Sequence, residues 1–164
     1  MQSFDDTMLK MLGRAHNTAD SLATFNDARN AGFDNISADL IYGLPGQTEA
    51  QLMRDLQQML ALKAEHISAY MLTLEPDTFL ACQLKQGQYP ALSENFQRRA
   101  FDLVLETLAA NAYQQYEISN FAVKNGTNAK DFRSRHNLKY WNFAPYCGFG
   151  PAGHSFYLPN KRAW

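Results

Sequence analysis

The sequence predicts an α/β fold in which parallel strands are joined by crossover helices, and three observations predict it. First, an apolar run, Asn35-Ile36-Ser37-Ala38-Asp39-Leu40-Ile41, passes through Tyr42-Gly43-Leu44-Pro45-Gly46-Gln47 directly into a helix. Thr48 and Gln51 form a capping box that opens this helix, which extends to about Leu62. Second, a further buried run, His66 to Leu72, follows after a gap that fits one crossover helix, and such a connection makes its two strands parallel. Third, a long helical stripe precedes another strand-like segment, Tyr116-Glu117-Ile118-Ser119-Asn120, expected as a third parallel strand. In parallel α/β sheets ligand groups come from the loops after the strands, so Asp39 and the Gly-Leu-Pro-Gly turn sit where chemistry is expected.

The elements follow in order. Ser3, with Asp5 and Asp6 behind it, reads as a helix start with acids in the first turn, and the helix reaches Leu12 before Gly13 stops it. A second helix begins at Thr18 or Asp20, places Leu22, Phe25 and Ala28 at helical spacing, and ends on a left-handed cap at Gly32. The helix from Glu49 carries Leu52, Leu56, Met59 and Leu60 on one face. After the second strand, Glu75-Pro76-Asp77-Thr78 turns the chain into a short helix near Phe79 to Leu84, then a loop at Gly87 to Pro90. Ser93 caps the longest helix, whose apolar stripe is Phe101, Val104, Leu105 and Leu108.

Composition bounds what this fold serves. At 164 residues, 46% hydrophobic, 19% charged and a formal net charge of −1, the chain is expected to bury a core and gives no electrostatic case for nucleic acid or a membrane surface as partner. No apolar run approaches the roughly 20 residues of a membrane helix, and no signal-peptide pattern opens the chain, so cytoplasm is the expected location. The two cysteines, Cys82 and Cys147, stand far apart in unlike contexts and suggest neither a disulfide framework nor a metal cage.

The last segment changes character. Lys124 to Arg135 reads as a polar loop with Lys124, Lys130, Arg133 and Arg135, and the aromatic density then rises through His136-Asn137-Leu138-Lys139-Tyr140-Trp141-Asn142-Phe143 to Tyr146, Phe149, Phe156 and Tyr157. Such a cluster suits either a satellite core or the wall of a flat apolar ligand. If the segment is helical, His136 and Tyr140 share a face at i, i+4, and Asn137 and Trp141 share the adjacent one. Gly148-Phe149-Gly150-Pro151-Ala152-Gly153 matches G-x-G-x-x-G in letters, but no βαβ unit surrounds it, and close backbone approach is the better reading.

Together, Gln2-Ser3-Phe4, Leu12-Gly13-Arg14-Ala15-His16, Gly32-Phe33-Asp34-Asn35-Ile36, Asp39 to Thr48, Ser68-Ala69-Tyr70 and Arg135-His136-Asn137-Leu138-Lys139-Tyr140-Trp141 resemble the radical S-adenosylmethionine (SAM) proteins related to oxygen-independent coproporphyrinogen III oxidase. The Arg-His-Asn-x-x-Tyr-Trp element is similar to the heme chaperone (HemW-type) branch. The resemblance implies a partial (β/α) radical SAM barrel. Residues 1–123 would be its second half, and 124–164 the basic loop with the aromatic and Gly-rich segment closing the barrel end.

Carried over position by position, the resemblance assigns Gln2, Arg14 and Asp39 to SAM, with backbone of Thr73 and His154 near the adenosine. An Arg can pair with the SAM carboxylate, and a carboxylate or amide can hold ribose hydroxyls or the amino group. Taken alone, Arg14 is also a helix-end cation and Asp39 a turn cap. The resemblance assigns heme to His136, Asn137, Tyr140 and Trp141, with the His136 imidazole as axial ligand of the iron and the aromatics stacking on the macrocycle. The implied cofactors are SAM, a [4Fe-4S] cluster and heme; the implied partner is a heme-acceptor protein, through which alone a membrane would be met.

The sequence also departs from the family. The Cys-x-x-x-Cys-x-x-Cys run that ligates the cluster is absent, so these residues alone do not cleave SAM and whether the chain is an enzyme stays open. The barrel's N-terminal half with its cluster loop is expected to be missing, as in a natural truncation, a gene-model error or an excised fragment. Three readings follow: a portion of a heme-binding and heme-delivering chaperone, a portion of a radical SAM oxidoreductase of porphyrin biosynthesis, or an inactive truncated product. A half barrel leaves the Ile36 to Leu40 strand with an open edge, so the chain is expected to self-associate.

Overall fold

Helices are packed against one face of a short sheet, and the strand ends of that sheet carry the candidate site. A computed structural model of the chain describes residues 1–124 and 130–157. In chain order the elements are α1 (Asp6–Met11), α2 (Thr18–Asn30), β1 (Ser37–Tyr42), α3 (Glu49–Ala61), β2 (His66–Met71) and α4 (Phe79–Lys85). They continue as α5 (Glu94–Ala110), β3 (Tyr113–Gln115), β4 (Asn120–Val123) and α6 (Arg135–Trp141). The chain divides into two compact units, Met1–Phe132 and Arg133–Trp164.

The helix termini follow from local chemistry. Asp5, not Ser3, caps α1, its carboxylate accepting from Thr7 N at 2.9 Å. Ser3 is buried instead: its hydroxyl donates to Asp55 Oδ2 at 2.8 Å and accepts from Asp5 N at 3.0 Å, which ties the first residues to α3. At the other end of α1, Gly13 takes φ +67, and the Gly13 N to Lys10 O and Arg14 N to Leu9 O bonds close a Schellman motif. Asn17 and Asp20 form a capping box on α2, and Thr48 and Gln51 form the expected one on α3. Thr78 and Ser93 cap α4 and α5.

β1 and β2 are parallel in the register Ser37↔His66 to Tyr42↔Met71, as the crossover helix α3 requires. Ala38, Leu40 and Tyr42 of β1, Ile67 and Ala69 of β2 and Phe121 of β4 join Leu52, Leu56 and Met59 of α3 and Val104 and Leu108 of α5 in one core. Of the expected stripes, Phe25, Leu52, Leu56, Met59, Val104 and Leu108 are buried, while Leu22, Ala28, Leu60, Phe101 and Leu105 are half-buried; each fully buried large aliphatic chain contributes about 1.5–3 kcal/mol.

The third strand differs from expectation. Tyr116 to Asn120 is not a parallel strand; the sheet runs β1-β2-β4-β3, with β4 antiparallel to β2 (Ser68↔Asn120, His66↔Ala122) and β3 antiparallel to β4. The sheet is therefore mixed. The cause is a side-chain turn: Glu117 Oε1 accepts from Ser119 N at 2.7 Å and from Asn120 Nδ2 at 2.5 Å, and Gln115 Nε2 donates to Ile118 O at 3.0 Å. Folded back on itself, the segment becomes the bend of a hairpin, and the strand is displaced onto Phe121-Ala122-Val123.

Candidate functional site

In the first unit the candidate residues gather around the C-terminal half of β1. The extended segment holding Gln2 lies along β1's outer edge, where Gln2 O accepts from Ile41 N at 2.8 Å. Asp55 fastens that segment from below, accepting from Ser3 Oγ and from Phe4 N at 2.9 Å. Burial raises the Asp55 pKa above the usual carboxylate value against the opposing pull of those two hydrogen bonds. Gln2 Oε1 is buried without a partner, an acceptor that asks for a donor. Arg14 is exposed on its Schellman turn, and Asp39 is exposed mid-strand with no hydrogen bond from the described residues. Burial lowers the pKa of the Met1 amino group, with the charge of Asp39 raising it and that of Arg14 lowering it.

The turn after β1 is closed on itself. Gly43 and Gly46 adopt φ +72 and +71, and buried Gln47 turns its Oε1 back onto Gly43 N at 2.9 Å and Leu44 N at 3.2 Å. Those amides are spent, so the turn is no phosphate cradle. Gln97 of α5 donates to Leu72 O at 3.2 Å and reaches Gly43 O at 3.5 Å, joining the ends of β1 and β2; exposed Thr73 follows directly.

On the sheet face away from the core, the alternation of β2 presents His66, Ser68 and Tyr70. Buried His66 is bridged on both nitrogens, by Ser37 Oγ and by Tyr116 Oη, each at 2.7 Å. Desolvation lowers its pKa, opposed by the charges of Asp39 and Glu117, so the ring favours its neutral form. Sequence reading passed over His66, Ser68 and Asn120; the period of two in His66-Ile67-Ser68-Ala69-Tyr70 was the available signal.

The second unit holds the remaining candidates. Ser134 caps α6 through Asn137 N at 3.2 Å, and the helix presents His136, Tyr140 and Trp141 at its surface, with Asn137 half-buried. His136 and Tyr140 pack edge to face with ring centroids 5.1 Å apart, as i, i+4 spacing dictates. Tyr140 packs likewise on Tyr146 at 4.9 Å, and Tyr146 stacks on Phe156 at 6.2 Å across a bridge that pairs those residues. No hydrogen bond from the described residues engages the His136 ring. The Gly-rich segment is pinched: a Cβ at Gly148 would lie 2.3 Å from His154 O, while Phe149 at the tip is 91% exposed. His154 is exposed.

These residues fit two of the three implied groups. Gln2, Asp39 and Arg14 offer acceptors and a cation suited to an amino acid and a nucleoside, and His136 with its aromatic neighbours offers an imidazole and flat faces suited to heme. A [4Fe-4S] cluster does not fit, because Cys82 and Cys147, both free, fall short of three thiolates, and no metal-ligating group of side chains occurs among the described residues.

Comparison with known proteins agrees with the sequence. Residues 1–59 match the model of the Radical SAM superfamily. The chain is 38% identical over 156 residues to the heme chaperone HemW of Bacillus subtilis, which covers 95% of this chain and 40% of that protein. It is 37% identical over 159 residues to the mitochondrial radical S-adenosyl methionine domain-containing protein 1 of Bos taurus, covering 97% of this chain and 35% of that one. Among solved structures, coproporphyrinogen III oxidase (HemN) of Escherichia coli, a radical SAM enzyme, matches with TM-score 0.65 and 26% identity over 77% of this chain and 29% of its own. The chain thus spans about two-fifths of the length of the curated relatives it matches.

Proposed function

We propose that the chain is a portion of a radical SAM heme chaperone, contributing part of a SAM pocket and the segment that binds heme for delivery to an acceptor protein. The observation that carries this reading is the exposed His136 imidazole on α6, backed edge-on by Tyr140 within the Arg-His-Asn-x-x-Tyr-Trp element. His136 ligates the heme iron, and Tyr140 and Trp141 shield the macrocycle from water. In the first unit Gln2 and Asp39 hold hydroxyl and amino groups of SAM and Arg14 pairs with its carboxylate, with Thr73 backbone at the adenosine. The parallel β1–α3–β2 portion of the sheet belongs to the second half of a (β/α) barrel. Bound beside an intact cluster, SAM would supply radical chemistry; the cluster does not fit this chain, whose own residues bind and orient SAM.

The reading as a porphyrinogen oxidoreductase draws on the HemN structural neighbour, and turnover of a porphyrinogen by an intact relative would favour it. Cytoplasm is the proposed location; no helix among the described residues is long and apolar enough to cross a membrane. Self-association is proposed through β1, whose outward main-chain groups at Ser37 and Asp39 alternate with those that face β2.

The test is a hemin titration followed at the Soret band, for the chain and for His136→Ala, with circular dichroism on both. Saturable binding weakened by about tenfold or more, roughly 1.4 kcal/mol, is expected on substitution. Equal or non-saturable binding by both would refute the assignment of His136.

A further inference from the structure

The formal net charge of −1 conceals a segregation. All 16 Asp and Glu residues lie in the first unit, whereas from Arg133 to Trp164 the sequence holds Arg133, Arg135, Lys139, Lys161 and Arg162 and no acid. A region with one sign of charge draws ligands of the other. Two of these cations stand on α6 beside His136. At roughly 100° per helical residue, Lys139 lies about 60° to one side of His136 and Arg135 about 100° to the same side, whereas Tyr140 lies about 40° to the other. All four are exposed, and Asn137 and Leu138 occupy the half-buried side of the helix. Neither Arg135 nor Lys139 forms an ion pair among the described residues.

The surface around His136 is thus polarised across the ring. One side is aromatic, where Tyr140 continues onto Tyr146 at 4.9 Å, and the other is cationic. Heme is polarised in the same way, with both propionate carboxylates on one edge and only alkyl and vinyl groups on the opposite edge. Seated on the His136 imidazole with its apolar edge over Tyr140 and Tyr146, the macrocycle turns its propionates toward the long, flexible side chains of Lys139 and Arg135. We propose that Lys139 and Arg135 bind the heme propionates and so fix which edge of the macrocycle faces which side of α6. This rests on the heme reading above and extends it from the iron to the periphery of the ring. A macrocycle whose propionates are esterified keeps the iron and the apolar edge and loses this recognition.

The test uses the whole chain in Soret titrations with hemin and with hemin dimethyl ester, both presented in the same mild detergent. Exposed ion pairs are individually weak, so two of them are expected to favour hemin over the ester by about fivefold at low salt, an advantage that shrinks at about 0.5 M sodium chloride. Substituting both cations, Arg135→Gln with Lys139→Gln, abolishes the preference and leaves ester binding unchanged, whereas His136→Ala weakens both ligands and keeps it. Arg133→Gln removes the same charge as Lys139→Gln but keeps the preference that Lys139→Gln reduces; equal losses in these two would place the effect in the general field of the unit and overturn the assignment. Wild type that binds both ligands saturably and alike, or a double variant that still prefers hemin, overturns the assignment of Lys139 and Arg135 alone. Wild type that binds neither saturably overturns the heme reading and this assignment with it. Should the double variant fail to fold, the wild-type protein decides, because a preference for hemin that salt does not reduce overturns the assignment.

Discussion

Removing the Asp55 carboxylate should loosen the segment that carries Gln2. Asp55 is 3% exposed and accepts from Ser3 Oγ at 2.8 Å and Phe4 N at 2.9 Å. Asp55→Ala leaves both donors buried without that acceptor, at about 1–3 kcal/mol for each. Relief of a desolvated carboxylate offsets part of this, so a net loss of about 2 kcal/mol is expected at neutral pH. Asp55→Asn keeps an oxygen for Phe4 N and should lose only about 1 kcal/mol. The pH dependence separates charge from geometry. The Asp55 pKa is raised in the folded state, so the folded protein holds this proton more tightly than the unfolded chain does. Its contribution to stability is fully present below the unfolded value of 3.8 and is lost as pH rises through the folded value; the amide variant lacks this slope. Urea denaturation followed by circular dichroism across acid to neutral pH measures both effects, and affinity for S-adenosylhomocysteine should fall in Asp55→Ala as Gln2 loses its anchor. An Asp55→Ala cost below about 0.5 kcal/mol, or a stability difference between wild type and Asp55→Asn that does not change with pH, would refute the reasoning.

Three further outcomes are expected. Tyr116→Phe removes the partner of His66 Nε2 and should cost about 1 kcal/mol. Because the His66 pKa is lowered on folding, its contribution is present above the unfolded value of 6.5 and lost as pH falls through the folded one; thermal melts and an NMR titration of the ring would read this. Gly148→Ala drives a Cβ to 2.3 Å from His154 O and should open the Tyr146 and Phe156 bridge, read as lost amide protection at those residues, while Gly150→Ala meets no atom within 4 Å and should cost only about 1 kcal/mol for its φ of +89. Leu56→Ala, at a fully buried position of α3, should cost about 2–5 kcal/mol in a denaturant melt, and a cost under about 1 kcal/mol would mean that this core is not packed as described.

Local chemistry, written in neighbouring residues, was legible in the sequence. The capping box at Thr48 and Gln51, the stripe Leu52, Leu56 and Met59, the parallel pairing forced by α3, and the shared face of His136 and Tyr140 all depend on spacings of a few residues. The resemblance of the chain to radical SAM heme chaperones was legible for the same reason, since its motifs are contiguous runs. Ser3 misled because a hydroxyl ahead of acids suits a cap, and only the fold shows Asp55, distant in sequence, competing for it. Tyr116 to Asn120 misled because its apolar residues suit a strand, while the bend depends on the Glu117 carboxylate folding back onto Ser119 and Asn120. The row Asp39, Ser68 and Asn120 was invisible for a stronger reason: its members lie on three strands, and only the register places them side by side. By itself the sequence determined most of the helices, the caps at Thr48 and Ser93, the parallel pair and the family resemblance, because those are set by interactions within a turn or a crossover. The tertiary structure alone decided the antiparallel return of β4, the fate of Ser3 and the buried acceptor of Asn120, because each depends on which distant group reaches a polar atom once water has left it.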